Sequence, residues 1–121
     1  MIFFTVTLPS ASQVLVLEDS PMRIAWFRKR LPSVTIASSV AEMEAYFDNK
    51  PTCDYIFLDH DLGEGNGTGA EAAANLRTRF GGNTKAMLIH SWNWAGARRM
   101  QEILPGAVHI PFGEFELTVE K

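Results

Sequence analysis

The sequence has little cysteine, little excess charge and no apolar run long enough to cross a membrane. Its single cysteine, Cys53, excludes an internal disulfide, so a reducing cytoplasm is the expected compartment. The net charge of −3 argues against broad DNA binding. The β-prone run from Met1 to Leu8 has no basic flank and is too short for a signal peptide or a membrane span. We therefore expect no membrane association.

The remaining composition is typical of one globular domain. Of the 121 residues, 46% are apolar and 21% are charged, which is ordinary for a chain with a packed core. We predict a domain over residues 13–121, preceded by an N-terminal extension over residues 1–12. An added strand, a partner contact that makes a homo-oligomer, and an early start codon all remain open for this extension. The glycine-rich loop at residues 63–69 matches neither the dinucleotide-binding pattern nor the P-loop pattern.

Short apolar runs alternate with segments of helical periodicity. The runs are typical of strands buried on both faces of a parallel sheet, and they lie at residues 14–17, 34–37, 55–58, 86–89 and 107–110. Helices are predicted between them, with Ser20 capping one helix and Ser39 forming a capping box with Glu42 in another. The order βαβαβαβαβ with right-handed crossovers predicts an α/β fold, a three-layer sandwich. The tail after Phe112 is short for a final helix and is expected to end in extended structure.

Acidic and imidazole side chains follow the predicted strands. In a parallel α/β sheet the carboxyl ends of the strands meet at one edge, where ligands bind. Clustered carboxylates repel one another unless a cation or a proton lies between them, so this edge predicts a divalent metal. Oxygen ligands suit Mg²⁺, and the imidazoles would also allow Mn²⁺ or another transition ion. The residues at the edge are Glu18, Asp19, Asp59, His60, Asp61, His90, Ser91, Asn93 and His109.

This arrangement resembles the receiver domain of two-component response regulators over roughly residues 14–112. The resemblance implies a flavodoxin-like parallel sheet of order 2-1-3-4-5. It also implies that Glu18, Asp19 and the phosphoacceptor Asp59 bind Mg²⁺ together with the backbone carbonyl of Asp61. Ser91 would contact the phosphoryl group. The sequence departs from the pattern just before the closing proline, where receivers carry a lysine and this chain has Ile110.

A divergent branch, the cyclic-phosphate processing receiver domain, resembles the chain more closely. Its marks are an acidic pair with a following arginine, a Leu-Asp-His-Asp-Leu string, a His-Ser-x-Asn string with a nearby glycine, and a late Pro-Phe. Here these are Glu18-Asp19 with Arg23, residues 58–62, residues 90–93 with Gly96, and Pro111-Phe112. The resemblance implies a phage or bacterial protein that acts on the cyclic phosphate of a nucleotide or an RNA end.

The residues suit metal-dependent hydrolysis of such a phosphate, which needs charge neutralisation, an activated water and protonation of the leaving oxygen. The predicted metal ligands are Glu18, Asp19, Asp59 and Asp61, the predicted catalytic residues are Asp59, His60 and His90, and the predicted phosphate-binding residues are Arg23, Ser91 and Asn93. Trp92 or Trp94 would stack on a base, or would simply pack. Two alternatives stay open. In one, Asp59 is the phosphoacceptor of a signalling receiver; in the other, the domain is a catalytically silent binding module.

Overall fold

A parallel sheet of five short strands forms the centre of the computed structural model, which describes residues 4–49, 52–80 and 84–120. The described residues form seven strands in all, two of them outside this sheet: β1 (Phe4–Leu8), β2 (Val14–Leu17), β3 (Thr35–Ala37), β4 (Tyr55–Leu58), β5 (Ala86–Ile89), β6 (Val108–His109) and β7 (Phe115–Val119). The central sheet has the order β3-β2-β4-β5-β6, and every neighbouring pair in it is parallel. Without β1 this is the predicted order 2-1-3-4-5, so the flavodoxin-like α/β fold is confirmed.

In the described part of the chain, four α-helices connect these strands. They are α1 (Pro21–Arg30), α2 (Val40–Asn49), α3 (Gly69–Asn75) and α4 (Trp94–Ile103). The Ser20 hydroxyl accepts a hydrogen bond from the first turn of α1, as predicted. The Ser39 hydroxyl accepts one from the Glu42 amide, whereas the Glu42 carboxylate accepts from Ser38 and not from Ser39. Both caps satisfy amides that have no partner inside a helix.

The apolar periodicity after the glycine-rich loop predicts one continuous helix over roughly residues 70–80, and the third helix differs from that prediction. After Asn75 the backbone changes to a π-helical turn over Leu76–Phe80. Within this turn the Thr78 hydroxyl donates to the Ala74 carbonyl at 2.9 Å. Such a bond competes with the backbone for that carbonyl and loosens the helix.

The two faces of the sheet are covered by different layers. Side chains alternate along β2, so Leu15 and Leu17 pack with α2, α3 and α4, whereas Val14 and Val16 pack with α1, β1 and β7. All four are buried, as expected for a strand covered on both sides. Burying one such side chain contributes about 1.5–3 kcal/mol. The three predicted layers are present, and one of them is partly made of strands.

The strands β1 and β7 form this unusual part of the outer layer. They pair in parallel, from Phe4 beside Phe115 to Leu8 beside Val119. The ion pair between Arg30 and Glu116, at 2.5 Å, ties β7 to α1. The expected extended tail is therefore a strand, and residues 4–8 of the extension form its partner; residues 1–3 lie outside the described residues. The domain division at residue 12 and the role of the extension in oligomers remain predictions.

The loop before α3 returns to the sheet edge and packs against α2. The Asn66 carbonyl accepts from the Val40 amide at 2.9 Å. Gly67 has a φ of +78°, and a Cβ there would lie 2.7 Å from the Val40 side chain, so this position requires glycine. Among the described residues, no helix combines the length and the apolar character that a bilayer span requires.

Candidate active site

Three buried polar side chains lie side by side at the carboxyl edge of the sheet. The parallel hydrogen bonding continues one residue past the strands, because the Asp59 amide donates to Leu17 and the His90 amide donates to Leu58. Glu18, Asp59 and His90 are therefore neighbours, and their ligand atoms lie within 4.8 Å of one another. Their exposed fractions are only 1%, 5% and 0%.

His90 lies beneath Glu18. Its Nε2 is 2.9 Å from Glu18 Oε1, while Glu18 Oε2 accepts from the amides of Asp19 and Ser20. Burial raises the pKa of Glu18, but the hydrogen bond and charge of His90, the Ser20 amide and Arg23 together bring that pKa below its ordinary value. The Nδ1 atom of His90 is buried without a hydrogen-bond partner among the described residues. His90 therefore reaches the cleft above only through Glu18.

Asp59 has excess negative charge around it. Its Oδ1 accepts from the His60 amide at 2.9 Å. Burial, and then the charge of Glu18, raise the pKa of Asp59 to about 6, against the opposing effects of His90, the His60 amide and Arg23. A cation beside Asp59 would relieve this repulsion, so the site is electrostatically suited to bind one.

Arg23 lies above the two buried acids. Its guanidinium nitrogen NH1 is 3.6 Å from Glu18 Oε1 and 4.0 Å from Asp59 Oδ2. The guanidinium carbon lies 4.6 Å from the centroid of the Trp92 ring and 4.8 Å from that of Phe112. The Trp92 indole in turn donates to the Phe112 carbonyl at 2.6 Å. Cation–π contacts with both rings therefore hold the arginine in place over the acids.

His60 belongs to a second cluster with Asp61 and Asn93. His60 Nδ1 is 2.8 Å from Asp61 Oδ1, and Asn93 Nδ2 donates to Asp61 at 3.2 Å. The amide of Gly96 donates to Asn93 Oδ1 at 2.8 Å, which fixes the orientation of the Asn93 side chain. We assign the His60 proton to Nδ1, facing the Asp61 carboxylate, so Nε2 is the proton acceptor of the neutral ring. The same hydrogen bond lowers the pKa of Asp61.

Two glycines hold His60 in this position. A Cβ at Gly96 would lie 2.5–2.7 Å from three atoms of the His60 ring. A Cβ at Gly69 would collide with the Asp59 carbonyl and lie 2.7 Å from the His60 Cα. The ring therefore packs directly against the backbone at the start of α4, and a larger residue at either position would displace it.

Ser91 lies just after the end of β5, and His109 is the last residue of β6. The buried Ser91 hydroxyl accepts from the Asn93 amide at 3.0 Å. His109 Nε2 donates to the Ser91 carbonyl at 2.8 Å, and its ring meets Trp94 edge-on. His109 is thus at the predicted edge but is not among the three side chains of the acid–imidazole cluster.

A cleft of about 390 Å³ opens over these groups. Most of the predicted site residues line it, namely Glu18, Asp19, Arg23, Asp59, Asp61, Ser91 and Asn93, together with Trp92. His60 adjoins this set through Asp61 and Asn93, and His90 adjoins it through Glu18. The structure brings the predicted residues together, and their roles remain predictions.

Known proteins give the site its family context. The family model of the cyclic-phosphate processing receiver domain matches residues 14–106. The chain belongs to this family. Among curated proteins, none matches the sequence.

Several solved structures have a fold similar to that of this cyclic-phosphate processing receiver domain. One is the crystal structure of the phosphorylated cyanobacterial phytochrome response regulator RcpA, with a TM-score of 0.68 and 18% identity over 83% of this chain and 79% of that chain. Another is a fusion that carries a trimeric coiled-coil segment of yeast Spc42, with a TM-score of 0.65 and 20% identity over 86% and 71% of the two chains. Identities this low show the receiver fold alone.

This chain departs from the ordinary receiver pattern at the position before the closing proline. Ile110, which stands there, packs in the core layer of α1, β1 and β7. Within the described lining of the cleft, Arg23 is the one cationic side chain. Sequence reasoning missed that Phe112 packs against Arg23, although the Pro111-Phe112 motif drew attention to it. It also missed Gly69, whose only sequence signal is its place in a glycine-rich loop.

Proposed function

We propose that this domain hydrolyses the cyclic phosphate of a nucleotide or an RNA end in a metal-dependent reaction. The observation that carries the proposal is Asp59, a buried carboxylate whose pKa is raised to about 6, beneath an arginine fixed between two rings. A cleft with strong negative charge at its base and one guanidinium at its wall suits a phosphate bound through a metal.

The described residues fit Mg²⁺. Carboxylate oxygens of Asp19 and Asp59 and the backbone carbonyl of Asp61 would hold it, because hard cations prefer oxygen ligands. Glu18 would add its charge, and it would add an oxygen if the hydrogen bond from His90 were released. Mn²⁺ is the alternative, since it tolerates imidazole. When bound, the ion neutralises phosphate charge and makes a water molecule more acidic.

The protein groups supply phosphate binding and proton transfer. Arg23, Ser91 and Asn93 would bind the phosphate oxygens. His60 Nε2 would accept a proton from the attacking water, whose oxygen forms a bond to phosphorus. The bond from phosphorus to one ribose oxygen would then break, and that oxygen would take up a proton that His60 releases through solvent, which restores the neutral ring and leaves an open phosphate monoester. His90 would share in the proton transfer through Glu18, the group that it contacts.

Turnover tests the proposal. Cyclic-phosphate nucleotides and RNA ends would be incubated with Mg²⁺, Mn²⁺ or a chelator, using the wild type, Asp59→Asn and the exposed control Asp48→Asn. We expect metal-dependent product that disappears in Asp59→Asn and persists in the control. His60→Ala combined with His90→Ala should abolish turnover; full activity in that folded double variant would refute the assigned chemistry.

A second candidate function follows from the position of Asp59. It directly follows the central strand of a receiver fold, where the resemblance places the phosphoacceptor. If the domain is a switch, a small phosphodonor and Mg²⁺ should label the wild type and not Asp59→Asn, without turnover of any cyclic phosphate. Ile110 in place of the receiver lysine weighs against this function. If the protein is not labelled by the phosphodonor, does not turn over a cyclic phosphate and does not bind a metal, it would be a catalytically silent binding module.

A further inference from the structure

Two tryptophans beside the cleft are exposed and yet fixed in orientation. Trp92 and Trp94 are 62% and 66% exposed, and they lie in or next to the loop between β5 and α4. Trp92 is held by its hydrogen bond to the Phe112 carbonyl, and Trp94 packs edge-on against His109 with ring centroids 4.7 Å apart. Because Trp92 and Trp94 are two positions apart in the sequence, their Cα atoms are separated by at most about 7 Å. Exposed, oriented aromatic rings are suited to stack on nucleic-acid bases.

A second cleft begins at Trp94. It has a volume of about 560 Å³ and lies between α4 and β6, lined by Trp94, Arg98, Arg99, Gln101, Glu102 and His109. Arg98 and Arg99 are exposed, and neither forms an ion pair with a carboxylate in the described part of the chain. Two guanidinium groups against one glutamate make this cleft locally positive, although the whole chain carries −3. The cleft therefore suits a phosphate backbone.

The two clefts adjoin each other. The Ser91-Trp92-Asn93 segment lines the first cleft, and Trp94 and Ala95 line the second. His109, at the wall of the second cleft, donates to the Ser91 carbonyl. A strand whose last phosphate lies near Arg23 can therefore continue past Asn93 into the second cleft.

We propose that the second cleft binds the nucleotide that precedes the cyclic phosphate in a single-stranded RNA. One base stacks on Trp94, and a backbone phosphate binds Arg98. This inference rests on the proposed function and deepens it, because it makes the substrate an RNA 3′ end whose cyclic phosphate bridges the 2′ and 3′ oxygens. A free mononucleotide would leave the second cleft empty.

Binding measured apart from turnover tests this inference. Fluorescence anisotropy would compare a 5′-labelled RNA tetranucleotide with an open 3′-phosphate against a labelled mononucleotide with the same terminus. We expect tighter binding of the tetranucleotide. Trp94→Ala should weaken it by about ten-fold, as loss of one base stack does, and Trp94→Phe should restore part of the loss.

The charge contribution has its own readout and control. Arg98→Ala should lower the magnitude of the slope of log affinity against log salt by about 0.7, the value for one phosphate contact on a single strand. Arg28→Ala removes the same charge from an exposed position on α1, and it should leave both affinity and slope unchanged. Circular dichroism would establish that every variant is folded.

The outcomes separate this inference from the proposed function. Equal affinity for the tetranucleotide and the mononucleotide, or a tetranucleotide affinity unaffected by Trp94→Ala, would overturn the inference even if the wild type hydrolysed cyclic nucleotides. Binding that depends on strand length and on Trp94, in a protein that turns over no cyclic phosphate, would uphold the RNA surface and refute the hydrolysis.

Discussion

Replacement of Asp59 by asparagine should stabilise the protein at neutral pH. The carboxylate is 5% exposed and lies beside Glu18, and these two effects raise its pKa from 3.8 to about 6. Asparagine removes the charge and retains an oxygen that can accept from the His60 amide. The substitution therefore removes a repulsion without removing that hydrogen bond.

The magnitude follows from proton linkage. The rise of the Asp59 pKa from 3.8 to about 6, at 1.36 kcal/mol for each pKa unit, corresponds to about 3 kcal/mol. Because the folded pKa is the higher one, the folded state binds more protons between pH 3.8 and about pH 6, and the free energy of unfolding falls as the pH rises through that window. Asp59→Asn should recover up to about 3 kcal/mol at pH 7.5, which is roughly 10 °C in melting temperature.

Thermal and urea unfolding in metal-free buffer would measure this gain. At pH 7.5 Asp59→Asn should melt well above the wild type, and well below pH 3.8 the difference should vanish because the wild-type carboxyl is then protonated in both the folded and the unfolded state. Glu64→Gln removes one charge from an exposed loop position and should change stability by less than about 0.5 kcal/mol. A neutral or destabilising effect of Asp59→Asn at pH 7.5 would refute the assigned burial and repulsion. Added Mg²⁺ should stabilise the wild type and not the variant.

Three further substitutions test other parts of the structure. Gly96→Ala should displace the His60 ring and cost about 1–3 kcal/mol by overpacking, and the NMR chemical shifts of the His60 ring should change with it. Phe115→Ala should lower the free energy of unfolding in urea by about 3–5 kcal/mol, because that ring is fully buried under β1 and α1. Glu116→Gln should cost less than about 1 kcal/mol at pH 7, since its partner Arg30 lowers the pKa of an acid that stays in contact with water. This stability is lost as the pH falls from 4.5 through the lower pKa of the folded state, so the cost should shrink as the pH is lowered below 4.5.

Matched substitutions control these measurements. A Cβ at Gly106 meets no atom within 4 Å, so Gly106→Ala should leave both the stability and the chemical shifts of the His60 ring unchanged. Phe4 is 53% exposed, so Phe4→Ala should cost far less than Phe115→Ala. Equal effects within either pair would contradict the packing described for His60 or for β7. For Glu116→Gln, an undiminished cost at pH 3 would contradict the assigned ion pair.

The sequence predicted the central sheet well because its strands are buried on both faces. Runs such as Val14–Leu17 and Tyr55–Leu58 are continuous and apolar, and only a parallel sheet between layers has room for several of them. The pairing of β1 with β7 was not predictable in the same way. Phe115 and Leu117 alternate with polar residues, which indicates a strand, but no local pattern identifies a partner more than a hundred residues away.

The sequence predicted which residues meet at the site, whereas it did not predict how deeply each side chain is buried or in which direction it points. Residues that follow parallel strands must meet at one edge, so Asp59 and His90 were expected together. The complete burial of His90, and the direction of His109 toward the Ser91 carbonyl, depend on packing against other elements. The ring of Phe112 under Arg23 likewise joins residues that are far apart along the chain.

The parallel pairing of β1 with β7 also orders the folding of the chain. Partners along this ladder are separated by 111 residues, and closing a loop of that length costs about 4 kcal/mol of chain entropy before any contact repays it. The ribosome synthesises β1 long before β7. Leu8 therefore has no pairing partner until the central sheet has assembled and brought β1 and β7 together. The pairing of β1 with β7 should therefore form last during folding and be the first to be lost during unfolding. Amide hydrogens of β1 and β7 should exchange together, and earlier than those of β2 and β4.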